Sequence, residues 1–160
     1  MELYPLLRLI HIVSSTLLFG TGLGSAFYMW QAHRTGDAAI IAPVARHVVL
    51  ADWLFTTPAV IVQPLSGLWM MSLLGYDFSL GWLRYSLMLF VVAGLCWLPV
   101  VWIQIKVRDL AAQAACDGKA LSPRYHQLMR YWFVLGWPAF LSVMAIFYLM
   151  VFKTGVGAVS

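Results

Sequence analysis

A histidine, His11, stands inside the first of four long apolar stretches, about two helical turns from the start of the chain, and is followed by a run of small residues, Gly20, Gly22, Gly24 and Ser25. An imidazole surrounded by hydrocarbon costs free energy, so such a side chain faces a protein interior, a polar partner or a metal centre. Two chemistries suit it. Neutral imidazole is an axial ligand for haem iron, with a partner from a facing helix. The plainer alternative is a core histidine hydrogen-bonded to Ser15 or to a backbone carbonyl. Met88 and Met144 fall at roughly the depth of His11 and carry thioethers that suit iron or copper, although methionine is also common apolar filler. Arg8, nearer the membrane surface, suits a haem propionate.

A second set lies deeper along the chain. Asp52 falls level with Arg130, with His126 one turn away on the same segment as Arg130. An Asp52–Arg130 ion pair is the least costly way to place both charges near a membrane interior. It reads either as a structural tie between the second and fourth segments or as a propionate or proton-relay site, with Gln63 on the face of Asp52. His33 and His47 read as interfacial. At about 1.5 Å of rise per residue, His11 lies about 25 Å or more from His47 and His126, so it shares no metal ion with either. Cys96 and Cys116 have neither disulfide-framework nor metal-site spacing. No nucleophile elbow, phosphate loop, HExxH or CxxC is present, so hydrolysis and nucleotide chemistry have no support and no catalytic residue is assigned.

The elements that must position these residues follow from composition. Of 160 residues, 62% are hydrophobic and 10% charged. A soluble domain carries roughly 25% charged residues, so this chain reads as an all-α integral membrane protein. Helices are expected over about 3–30, 44–74, 82–107 and 125–152, together forming one transmembrane domain over 1–160, because lipid cannot satisfy free backbone groups. The links at 33–43, 75–81 and 108–123 are short, which implies an up-down-up-down four-helix bundle. Ser122-Pro123 is a cap followed by a first-turn proline and marks the fourth helix start. Pro58 and Pro64 should bend the second helix, with Pro99 and Pro138 kinking the third and fourth. The N-terminal stretch reads as a retained anchor rather than a cleaved signal.

Helical angles give three inward stripes: His11, Ser15, Leu18, Gly22 and Ser25; Asp52, Thr56, Ala59, Gln63 and Met70; and His126, Arg130, Val134, Trp137, Leu141, Met144 and Tyr148. Gly20 and Gly24 add a GxxxG pattern that suits close helix approach. The net charge of +4 is spread over helix ends, which speaks for membrane flanks and against nucleic acid. Arg34, Arg46, Lys106, Arg108, Lys119, Arg124 and Arg130 share one side, so the positive-inside bias puts both termini on the periplasmic side of a bacterial inner membrane.

The phrases Leu6-Leu7-Arg8-Leu9-Ile10-His11-Ile12, Leu50-Ala51-Asp52-Trp53-Leu54-Phe55-Thr56-Thr57-Pro58, Gln63-Pro64-Leu65-Ser66-Gly67-Leu68-Trp69 and Cys96-Trp97-Leu98-Pro99-Val100-Val101 resemble a bacterial family of predicted integral membrane proteins catalogued as a domain of unknown function. The opening from Arg8 to Ile12, followed by glycines, is more distantly similar to the first helix of the haem-b-containing membrane protoporphyrinogen oxidases and to copper-resistance membrane domains. The chain departs from the oxidase pattern in lacking a Pro-Arg-Leu phrase after the glycines and in carrying arginine at position 8, where lysine is usual. The likeness implies a b-type haem on His11 and an electron-transfer or oxidoreductase role in the bilayer, with a quinone or other redox partner and a homo-oligomer left open. Its rivals are a copper-handling or small-solute transport protein, with His11, Met88 and Met144 holding Cu(I), and a structural subunit of a larger membrane complex.

Overall fold

A computed structural model describes residues 3–153. Five α-helices follow one another: α1 (Leu3–Thr35), α2 (Ala38–Ala51), α3 (Thr57–Leu74), α4 (Gly81–Asp117) and α5 (Pro123–Phe152). A π-helical turn, Asp52–Thr56, joins α2 to α3 without a break, so Ala38–Leu74 is one rod. Four helices are therefore long and apolar enough to cross a membrane, and no strand occurs among the described residues.

The helices overrun the apolar stretches. Where the composition suggests links at 33–43 and 108–123, α1 continues to Thr35, α2 begins at Ala38 and α4 runs on to Asp117. The polar residues there belong to helix rather than loop, and the chain turns only where local chemistry stops it. Gly36 (φ +68°) and Gly118 (φ +62°) take the left-handed conformation that ends α1 and α4. Asp37 caps α2 by accepting from the Ala39 amide at 2.8 Å, and Ser122 caps α5 by accepting from the Tyr125 amide at 3.3 Å. The expected Ser122-Pro123 start is thus found. The 37 residues of α4 span about 55 Å, against a hydrocarbon thickness of about 30 Å. The surplus lies at the end holding the Gly36 and Gly118 turns, here called the closed end.

There the helices build a dense core. Ile41, Val107, Ala111 and Tyr125 are almost wholly buried, packed with Met29 and Met129. Further toward the termini, contact between the α1/α3 pair and the α4/α5 pair runs through aromatics, with Phe19 stacked on Phe140 and edge-on to Phe147, each at 5.5 Å. A smaller cluster of Met71, Trp82 and Leu83 closes the end where the termini lie.

Two expected faces are corrected. The stripe His126, Arg130, Val134, Trp137, Leu141, Met144 and Tyr148 is the exposed face of α5, and Tyr125, Leu128, Met129, Trp132 and Ser142 are the buried ones. His126 and Arg130 sit in the closed-end extension, where a charged head reaches water. The apolar remainder of that stripe meets lipid. On α1, Ser14 is buried and Gly22 exposed. A Cβ added at Gly20 or Gly24 would touch nothing within 4 Å, so the GxxxG pattern makes no helix contact within this chain. Truncating Ile41 to Ala should accordingly destabilise the fold by about 2–5 kcal/mol. Trp137→Ala, on the lipid face, should cost far less. Denaturant titration in micelles compares the two.

Candidate functional site

Proline shapes the middle of the second rod. Pro58 offers no N–H, and in a straight α-helix its ring collides with the carbonyl four residues back. The backbone widens just before it, with the Thr57 amide donating to the Asp52 carbonyl in an i+5 pattern. The widened turn buries Asp52 and Thr56 while Trp53, Leu54 and Phe55 face outward. Thr56 Oγ1 donates to Asp52 Oδ1 at 2.9 Å, and the Gln104 side chain of α4 also reaches the carboxyl. The expected Asp52–Arg130 ion pair does not form, because Arg130 points out from α5. The ion pairs present among the described residues are local, Arg108–Asp109 at 2.8 Å and Lys119–Asp117 at 3.5 Å.

Three turns further on, α3 meets α1 through a polar cluster built around His11. Gln63 Nε2 donates to the His11 carbonyl at 2.8 Å and to Ser14 Oγ at 2.9 Å, and Ser14 Oγ donates to the same carbonyl at 3.1 Å. His11 Nδ1 lies 2.8 Å from Ser66 Oγ. A Cβ on Gly67 would stand 3.3 Å from His11 Cε1, so the glycine is what lets the ring lie flat against α3.

The hydrogen bonds decide the tautomer. A hydroxyl has one proton. That of Ser66 is committed to the Val62 carbonyl at 2.6 Å, with the Gln63 carbonyl at 3.2 Å sharing it. Ser66 Oγ can then only accept, so His11 Nδ1 carries the proton and donates. In neutral imidazole this leaves a lone pair on Nε2. The ring is half-buried, and among the described residues the bond to Ser66 is its one side-chain hydrogen bond. The site thus presents one fixed, unprotonated nitrogen inside an apolar span.

Other expected partners do not converge on it. Met88 is 59% and Met144 43% exposed, both turned to the lipid side, and Arg8 is exposed as well. Ser15, one expected partner of His11, donates to the Ile12 carbonyl at 2.7 Å instead. No cluster of three or more His, Cys, Asp or Glu occurs among the described residues. A groove of about 370 Å³ lies beside Tyr76, Asp77, Trp82 and Lys153, away from His11. Sequence reasoning missed Ser14, Ser66 and Gly67. Ser66 was within reach, since it continues the Thr56, Ala59, Gln63 spacing by three residues.

A family model described as "Predicted integral membrane protein (DUF2269)" matches residues 5–154. The chain belongs to that family. It is therefore a multi-pass integral membrane protein in contact with the bilayer, as its four apolar helices require. No curated protein and no solved structure matches it. Within this family member, α1 and α3 are held together by the hydrogen bonds of Gln63. A double-mutant cycle on Ser14→Ala and Gln63→Leu should give a coupling of about 0.6 kcal/mol, and no more than about 1.7 kcal/mol, the span measured for such bonds in membranes. Gly67→Val should displace the imidazole and cancel that coupling.

Proposed function

We propose that this membrane protein holds one b-type haem through His11 Nε2 and carries electrons in the bilayer, with a quinone or another redox protein as partner. The observation that carries the reading is the hydrogen bonding of Ser66, whose Oγ, with its own proton on the Val62 carbonyl, accepts from His11 Nδ1–H and leaves the Nε2 lone pair free to bind a metal. Metal-binding histidines have their other nitrogen held in this way, which orients the ring and raises its basicity.

The residues present fit a single axial ligand. They do not fit the Cu(I) trio, because Met88 and Met144 turn away from His11. A haem, when bound, supplies one-electron iron chemistry at a potential set by its ligand and its low-dielectric surroundings. What this chain's residues contribute is positional. Ser66 and Gly67 fix the ring, Gln63 and Ser14 fix the backbone that carries it, and Arg8, about one turn closer to the membrane surface, offers a guanidinium to a carboxylate. Asp52, with Thr56 and Gln104, is a separate polar site suited to holding a proton on the far side of the rod. The concentration of Arg34, Arg46, Lys106, Arg108, Lys119, Arg124 and Arg130 toward the closed end supports an inner-membrane location with that end in the cytoplasm and both termini in the periplasm.

Absorption of the protein purified from haem-replete cells tests the proposal. A Soret band should appear in the wild type and disappear in His11→Ala. In Ser66→Ala, which frees the tautomer, haem retention should fall about 10- to 100-fold. A colourless wild type would reduce the His11 cluster to a tie between α1 and α3.

A further inference from the structure

At the closed end a second pair of imidazoles meets, from residues 93 positions apart in sequence. His33, in the last turn of α1, and His126, in the first turn of α5, have ring centroids 5.9 Å apart. The His33 Nδ1 is taken by the Tyr125 hydroxyl at 3.1 Å, and Tyr125 itself has no exposed surface. His33 is half-buried and His126 exposed, so the pair opens to solvent on one side.

This spacing suits a shared ion. With a zinc–nitrogen bond of about 2.0–2.1 Å and an imidazole radius of about 1.1 Å, two rings on one ion have centroids about 5.2 Å apart at the tetrahedral angle and about 6.3 Å apart in line. The observed separation lies inside that range. The buried Tyr125 hydroxyl lies 3.1 Å from His33 Nδ1; with an ion on Nε2, Nδ1 would carry the proton and donate to the Tyr125 oxygen, which would fix the ring as an outer partner does in known sites. We propose that His33 and His126 form a binding site for a divalent transition-metal ion of the zinc class, clasping α1 to α5, with Tyr125 as the positioning residue. No third His, Cys, Asp or Glu joins the pair among the described residues, so water fills the other coordination positions. Arg34 is drawn off over the Trp30 ring, 5.0 Å from its centroid, while Arg124 and Arg130 are exposed on α5 near His126. Their positive charge and the two-nitrogen donor set make this a micromolar site rather than a tight structural one.

The test is zinc sulfate titrated into the untagged, full-length protein in detergent, followed by calorimetry and by the thermal midpoint. One saturable equivalent should bind with micromolar Kd and raise the midpoint, as any ligand of the folded state does. His126→Ala, which alters an exposed side chain and leaves the fold intact, should abolish both effects, and His33→Ala should do the same. Tyr125→Phe should weaken binding about tenfold. His11→Ala, His47→Ala and Cys116→Ser should bind as the wild type does, which keeps the outcome independent of the haem reading. Absence of zinc binding in the wild type, or wild-type affinity in His126→Ala, would overturn the site. Wild-type affinity in Tyr125→Phe would remove the role given to Tyr125.

Discussion

Hydrocarbon offers no hydrogen-bond partner, and the hydroxyl, amide and imidazole groups around His11 find theirs in a neighbouring helix or in their own backbone, whereas the buried indole N–H groups of Trp97 and Trp132 go without among the described residues. That constraint explains the arrangement of the interior better than any single packing contact. Ser15, Thr16 and Ser25 turn their hydroxyls back onto carbonyls of their own helix. Gln63 and Ser66 have instead reached across to α1, and His11 is the residue they organise. The closeness that Gly67 allows completes the arrangement. A side chain at that position would crowd the imidazole, its Cβ standing 3.3 Å from Cε1, and would press on the ring that donates to Ser66.

The bundle divides into two mechanical parts. Its closed end resembles the interior of a soluble protein, with Ile41, Val107, Ala111 and Tyr125 excluded from solvent and lipid alike. The half nearer the termini is held by Phe19 against Phe140 and Phe147 and by the α1–α3 hydrogen bonds. The His11 cluster lies in this second part, away from the dense packing of the closed end.

Much of this was legible in the sequence. Four apolar stretches, three short links and the Ser122-Pro123 cap determine a four-helix bundle, and the isolation of His11 in the first stretch marks the residue around which the α1–α3 hydrogen bonds gather. Two things were not legible, each for a physical reason. The polarity of His126 and Arg130 suggested an inward face because depth was counted as if the helices ended with the apolar residues. In the folded chain those two residues lie in an extension beyond the hydrocarbon, where polarity points outward. The pairing of His33 with His126 was hidden for a related reason: position 33 falls in an expected link and His126 on an expected inward stripe of the fourth helix, whereas the two meet at the facing ends of α1 and α5.

The remaining discrepancy concerns the second rod, where a uniform helix puts Asp52 and Gln63 on one face. Eleven residues at about 100° each return to within about 20° of the starting direction. The two side chains nevertheless serve different neighbours, Asp52 accepting from Thr56 within its own rod and Gln63 donating to His11 of α1. The π-turn accounts for the difference. One residue's worth of extra backbone, inserted where Pro58 cannot donate, retards the helix by about 100° and leaves Gln63 about 80° away from the direction of Asp52. A proline that looks like a simple kink therefore acts as a phase shift. It turns the carboxyl of Asp52 and the amide of Gln63 in different directions from one rod, the first held by Thr56 and the second by His11 and Ser14 of α1, so the two sites are separated by a single backbone irregularity.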